Sequence, residues 1–109
     1  KSQTFSRETF CDYLEECEIK HSDIVYKQSC HETGWFTSKA FREHNNLFGF
    51  RIKEEYIHFA HWKECVRYYT LYQKNRLQPK ENYYKFLVRI GYAEDTLYCQ
   101  KLRKIKFKL

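Results

Sequence analysis

One change of period constrains this chain more than any other feature of its sequence. Apolar residues recur at helical spacing almost throughout, and the pattern breaks once, after Gly49, in "FRIKEEYIHF" (residues 50–59). There β-favouring residues flank a charged centre, which predicts a small hairpin. The predicted order is helix, helix, short helix, hairpin, helix, helix, helix. That is a mostly helical α+β domain of about six helices and one short β-hairpin.

The element ends carry their own signals. "FSRETFCDYLEEC" places Phe10, Tyr13, Leu14 and Cys17 on one helical face. "SDIVYKQSCHE" predicts a second helix with Ser22 as N-cap, Asp23 complementing its positive start, and Gly34 ending it. "TSKAFREH" predicts a short third helix capped by Thr37 or Ser38. "HWKECVRYYTLYQKN" predicts a long helix with Trp62, Val66, Tyr69 and Tyr72 on related turns. Pro79 is expected to open "PKENYYKFLVRI", where a missing N–H costs nothing, and Gly91 to stop it. Asp95 is expected to cap "TLYCQKLRKI", with Tyr98, Leu102 and Ile105 inward.

The 109 residues fit one domain, 1–109, with no internal repeat or linker. The net charge of +6 favours an anionic partner, whether nucleic acid, membrane surface or acidic polymer. Nucleic acid would call for basic residues gathered on one face with aromatics between them; here they are dispersed until the terminal "KLRKIKFKL", so no nucleic-acid partner is expected. No apolar run approaches the roughly 20 residues that span a bilayer. Ten tyrosines and nine phenylalanines exceed the usual needs of a small core, and tyrosine also lines carbohydrate clefts. Cys11, Cys17, Cys30 and Cys65 fall in predicted helices and read as buried thiols, while one or two disulfides stay open in an oxidising compartment.

Glu32 is the residue with the clearest chemical signal. Ile24, Gln28 and Glu32 are four apart and share a helix face, and Glu32 falls in the last turn before Gly34. The negative end of the helix dipole disfavours an anion there, and burial against Trp35 or Phe36 would disfavour it further. A carboxyl that keeps its proton near neutral pH is what a general acid requires. The same position also fits an ordinary surface glutamate at an unfavourable helix end.

Three motifs in order weigh on that choice. "QSCHETGW" followed by "NNLFG" supplies Gln28, Glu32, Thr33, Gly34, Trp35, Asn45, Asn46, Leu47, Phe48 and Gly49; "FAHWKECVRYY" and "IGYAEDTLYCQKL" follow. Together they resemble the bacterial glucosaminidases of glycoside hydrolase family 73, over roughly Phe5 to Ile105. The resemblance implies a lysozyme-like fold and hydrolysis of the β-1,4 bond of peptidoglycan after N-acetylglucosamine. It further implies action in the periplasm or cell envelope. The chain is expected to be a monomer without cofactor or metal. Glu32 would be the general acid, and Tyr92 would stand in the active site near the departing sugar. Gly91 and Asp95 carry over from the third motif, Asp95 on the substrate side with Gln28.

The family commonly places its partner acid on a longer hairpin than this one. Here only Glu54 and Glu55 are available, and turn glutamates are ordinarily just solvated. Asn45, Asn46 and Phe48 are expected to shape the loop and line the cleft, the asparagines either binding sugar or bonding their own backbone. Trp35, Tyr56 and Trp62 could stack on sugar rings, although Trp62 is better placed buried under the hairpin. His58, His61 and Cys65 have spacings of three and four, but no second cluster supports zinc. A competing reading is a catalytically weak or silent module that binds glycan.

Overall fold

The structure is a computed structural model that describes residues 3–107. Six helices and one two-stranded antiparallel sheet follow in the expected order. They are α1 (Arg7–Glu16), α2 (Ser22–Thr33), α3 (Lys39–His44), β1 (Arg51–Ile52), β2 (Glu55–Tyr56), α4 (Trp62–Lys74), α5 (Tyr83–Arg89) and α6 (Tyr98–Lys104). Helix α2 packs between α1 and α6, α1 also meets α4, and α5 lies on α6. The α+β reading from the change of period therefore holds.

Helix α2 is the central element because most of its faces are apolar or neutral. Ile24, Val25, Tyr26, Gln28, Ser29, Cys30 and Thr33 are all buried. Around it gather Phe10 and Leu14 of α1, Val66 and Tyr69 of α4, Phe86 and Leu87 of α5, and Leu102 of α6. Much of the aromatic excess is spent here. Phe5 alone meets Phe10, Phe36, Phe41 and Trp62 at ring centroids of 4.7–5.7 Å. Edge-on and tilted pairs of this kind add to the area they bury.

Several helix ends differ from the sequence expectation, each for a local reason. His21, in the left-handed conformation, precedes α2, and Ser22 is already helical; its hydroxyl donates to Glu15 at 2.8 Å. Ser38 caps α3, while the Thr37 hydroxyl turns back to the Gly34 carbonyl. Pro79 lies before α5 in a turn closed by Gln78 N–H to Glu81, and Asn82 is the cap, accepting from Lys85 N–H. Asp95 sits one turn ahead of α6 and accepts from Leu97 N–H at 2.9 Å. Cys17 follows α1 as its C-cap.

Trp62 is 3% exposed, but its cover is not the hairpin. It packs edge-on against Phe5, Phe10 and Tyr13, and its indole N–H donates to the Gln3 carbonyl at 2.9 Å. All five cysteines are free thiols. Burial pushes Cys30 up to about 11 and Cys65 up to about 12, so neither is a thiolate at neutral pH.

Candidate active site around Glu32

The site begins where α2 stops. Gly34, Trp35 and Phe36 follow one another in the left-handed region, at φ of 56°, 59° and 67°. For a residue with a Cβ this conformation costs about 1–2 kcal/mol, so something must hold it. Thr33 is the anchor: its hydroxyl donates to the Ser29 carbonyl at 2.7 Å and accepts from Phe36 N–H at 2.7 Å. Its own carbonyl accepts from Thr37 N–H and Ser38 N–H, both at 2.9 Å. The left-handed turn reverses the chain beyond Glu32 and leaves Trp35 46% exposed, with Arg7 over its ring at 5.3 Å. A hydroxyl after Glu32 thus has a physical reason that sequence reading did not supply.

Glu32 is half-buried, and desolvation raises its carboxyl above the ordinary carboxylate value. The Tyr98 hydroxyl lies beside the carboxyl and opposes part of that rise. Across the group stands Gly49, at φ +70°; a Cβ built there would lie 3.2 Å from Glu32 Oε1. Trp35 and Phe36, the expected cover, are engaged elsewhere, Phe36 in the aromatic cluster with Phe5, Phe10 and Tyr26. Burial, with Gly49 rather than Trp35 or Phe36 close to the carboxyl, is the cause of the rise, and the helix end that carries Glu32 acts in the same direction. The functional conclusion, a carboxyl disposed to hold its proton, is the same.

Tyr92 stacks on Tyr98 with centroids 5.8 Å apart and an interplanar angle of 22°. Its hydroxyl is buried and has no hydrogen-bond partner among the described residues. Burial raises its proton affinity well above the ordinary phenol value, and Tyr98 and Glu32 add to the rise. A buried hydroxyl without a partner costs about 1–3 kcal/mol, and such groups in native folds call for an explanation.

A half-buried carboxyl at a helix end, faced by a glycine and beside two tyrosines, is chemically able to give up a proton to a bound group. A family model described as "Glucosaminidase: Mannosyl-glycoprotein endo-beta-N-acetylglucosaminidase" matches residues 7–108. The chain belongs to the glucosaminidase family. No curated protein and no solved structure matches it. Membership makes it a member of a glycoside hydrolase family, whose substrates are glycans.

Four of the expected substrate-binding residues of this glucosaminidase domain are placed by the fold in structural duty. Gln28 is fully buried: its Oε1 accepts from the Tyr69 hydroxyl and its Nε2 donates to Tyr98 at 3.3 Å. Asn46 is also fully buried. Its Nδ2 donates to the carbonyls of Phe50 and Ile57, both at 2.9 Å, and its Oδ1 accepts from Phe50 N–H at 3.0 Å and Phe48 N–H at 3.4 Å. Of its two expected roles, bonding backbone is the one it fills. Asn45 closes α3 in the left-handed conformation and donates to the Phe59 carbonyl at 2.9 Å. Phe48, expected to line the cleft, is instead 2% exposed and packs on Tyr69 at 4.5 Å.

The hairpin residues of this glucosaminidase remain open to solvent. Strand pairing sets Arg51 opposite Tyr56 and Ile52 opposite Glu55. Arg51 reaches over the Tyr56 ring at 4.4 Å and donates to its hydroxyl at 2.7 Å. Ile57 N–H bonds the Phe50 carbonyl, and both side chains pack on the core. By strand alternation Glu55 shares the face of Phe50 and Ile57, while Arg51 and Tyr56 take the other. Glu54 occupies the turn. Both glutamates are exposed. Asp95 is exposed as well, ion-paired to Lys101 at 2.6 Å.

His58, His61 and Cys65 serve separate purposes. His58 Nδ1 meets His44 Nδ1 at 3.0 Å, His61 caps α4, and Cys65 Sγ accepts from Leu47 N–H at 3.3 Å. No group of three metal-ligating side chains stands together among the described residues. No helix there is long and apolar enough to cross a membrane. Sequence reading treated Tyr98 only as an inward packing residue; its place as the last tyrosine of the third motif was the available signal.

Proposed function

We propose that this chain hydrolyses the β-1,4 glycosidic bond of peptidoglycan after N-acetylglucosamine, as one domain working outside the cytoplasm. The observation that supports this best is the environment of Glu32. Its carboxyl is disposed by burial to hold a proton, and the glucosaminidase family match spans the residues that surround it.

In this reading Glu32 donates its proton to the glycosidic oxygen as the bond to the anomeric carbon breaks. Water supplies the hydroxyl that replaces the leaving sugar, and its proton returns to solvent or to a base. Tyr98 steadies the carboxylate that the transfer leaves behind, and a charge-assisted hydrogen bond is the strong kind. The Tyr92 hydroxyl, buried and unpaired in the free protein, supplies a donor to the departing sugar once substrate opens the cover over it. Trp35 and Tyr56, both exposed, offer faces on which pyranose rings stack. Glu55 is the better second carboxylate of the two, because it shares the hairpin face that turns toward the body of the domain.

A second reading, a module that binds glycan without cutting it, is favoured by one observation: both hairpin glutamates are exposed and solvated. Digestion of purified peptidoglycan by wild type and Glu32→Gln, with mass spectrometry of the reduced fragments, separates the two. The enzyme reading expects fragments ending in reducible N-acetylglucosamine and a loss of roughly 10²–10⁴ in rate for Glu32→Gln. If neither protein cuts and both sediment with the glycan, the binding reading takes its place.

A further inference from the structure

A line of hydrogen bonds crosses the core and ends at the Tyr98 hydroxyl, beside Glu32. Its far end is main chain: Lys20 N–H donates to Gln73 Oε1, and Gln73 Nε2 donates to the Lys20 carbonyl, each at 2.8 Å. A backbone N–H can only donate and a carbonyl only accept, so the Gln73 amide has one permitted orientation. Its second Nε2 proton goes to the Tyr83 oxygen at 2.9 Å.

The remaining links follow from satisfying every proton. Besides the Gln73 amide, which donates to it, the Tyr83 hydroxyl meets only Tyr69 among the described residues, so its single proton goes to the Tyr69 oxygen at 2.7 Å. Tyr69 in turn donates to Gln28 Oε1. That fixes the Gln28 amide, whose Nε2 donates to the Tyr98 oxygen at 3.3 Å. The one proton of Tyr98 is not used by any of these links, and the carboxyl beside it is that of Glu32. Burial keeps each of these phenols protonated, Tyr83 up to about 12 and Tyr69 and Tyr98 raised as well. From Gln73 onward every donor points the same way, toward Tyr98 and the acid beside it.

We propose that Gln28 and Tyr69 are positioning residues of this acid site, aiming the single proton of the Tyr98 hydroxyl at Glu32. The proposal rests on the reading of Glu32 as proton donor, and it gives the buried glutamine a role that substrate contact cannot. Without the Tyr69 hydroxyl, nothing holds the Gln28 amide in its present orientation. A flipped amide would present Oε1 to Tyr98 and compete with Glu32 for its proton. The groups that face Glu32 are Tyr98 from α6, Tyr92 from the turn before it, Gly49 from the loop after α3 and Gln28 from α2 itself; none is charged at neutral pH. The loss of the Tyr98 proton is therefore not masked by a neighbouring charge.

The test is a carbon-13 NMR titration of glutamate-labelled protein, with the Glu32 signal assigned by its absence in Glu32→Gln. Tyr69→Phe keeps the ring on Phe48 and is expected to move the Glu32 midpoint up by roughly one pH unit, about what a hydrogen bond to a charge is worth. Tyr83→Phe breaks the line one link earlier and should move it the same way by less. Tyr26→Phe removes the hydroxyl of another buried tyrosine on α2, bonded to Arg7 and outside the line, and should leave the midpoint in place. A Tyr69→Phe titration that stays put, or one matched by Tyr26→Phe, overturns the proposal. The alkaline limb of glycan cleavage should follow the midpoint upward in Tyr69→Phe. If the midpoint moves and the limb does not, the positioning stands and Glu32 is not the proton donor.

Discussion

A Cβ atom on Gly49 would stand 3.2 Å from Oε1 of Glu32. The glycine is thus required twice, once by its φ of +70° and once by the carboxyl it faces. Gly91 separates the two demands, since it shares a positive φ of +64° but has open space where its Cβ would be. Alanine at either position should cost about 1–2 kcal/mol in urea denaturation, the strain of a left-handed residue with a side chain. Gly49→Ala should in addition push the carboxyl aside by a few tenths of an ångström and lower glycan cleavage below that of Gly91→Ala, by less than the roughly 10²-fold that about 1 Å of misplacement costs at an active site. Equal activity in the two variants would remove the contact from the argument.

Glu32 should also mark the pH dependence of stability. Its folded proton affinity is raised, so the folded state binds more protons than the unfolded state above the ordinary value of 4.5. Stability then falls as pH rises through that value, until the folded group has ionised, and the cost is constant beyond. Glu32→Gln removes a charge that burial disfavours. Its melting temperature should exceed that of wild type at neutral pH, and the difference should vanish below about pH 4.5. A variant less stable than wild type at neutral pH would mean that the ionised carboxylate is net stabilised.

The parts of this fold that were legible in the sequence are those set by local pattern. Helix α2 and its stop at Gly34, the hairpin after Gly49 and the position of Glu32 in the last turn all follow from spacing and turn chemistry. Pro79 misled because it suits the first turn of a helix, yet the Gln78–Glu81 turn and the Asn82 cap set the start later. The particular partners of buried polar groups were not legible. Gln28 bonds Tyr98 across 70 residues, and Asn46 spends its whole amide on the backbone of the hairpin. No periodicity encodes such pairings, so Gln28 read from sequence as a substrate ligand, and Asn46 as either a sugar ligand or a residue bonding its own backbone.

Asn46 carries the consequence for stability. Replacing it by alanine would leave two carbonyls and the Phe50 N–H without their partner in a buried loop, each worth about 1–3 kcal/mol when unsatisfied. Solvent reaches part of the hairpin, which lowers the total, and a loss of about 3 kcal/mol in urea denaturation is expected. A loss below about 1 kcal/mol would mean that the loop between α3 and β1 keeps its shape by packing alone.

The hairpin carboxylates divide the enzyme reading from the binding reading. Glu55 lies on the face of Phe50 and Ile57, and Glu54 lies in the turn. If Glu55 serves as base or nucleophile, Glu55→Gln should lower cleavage at least tenfold, and by up to roughly 10⁴. Glu54→Gln should stay within about twofold, as a solvated turn residue would. Equal and small effects would assign the second role to the substrate acetamido group or to water without a base.

Tyr92 offers the cleanest separation of stability from activity. Its hydroxyl is buried beside Tyr98 without a partner among the described residues, so the fold bears a cost for keeping it there. Removing the oxygen while retaining the ring relieves that cost and preserves the stack on Tyr98 and the edge contact with Tyr72. Tyr92→Phe should therefore be as stable as wild type or more so, by up to about 1 kcal/mol in urea denaturation. Its rate on peptidoglycan should fall by roughly 10–10², because the departing sugar loses a donor that the free protein leaves unused. A variant that is destabilised as well as slower would show that the hydroxyl has a structural partner. An unchanged rate would take Tyr92 out of the chemistry and leave Tyr98 as the tyrosine on which Glu32 depends.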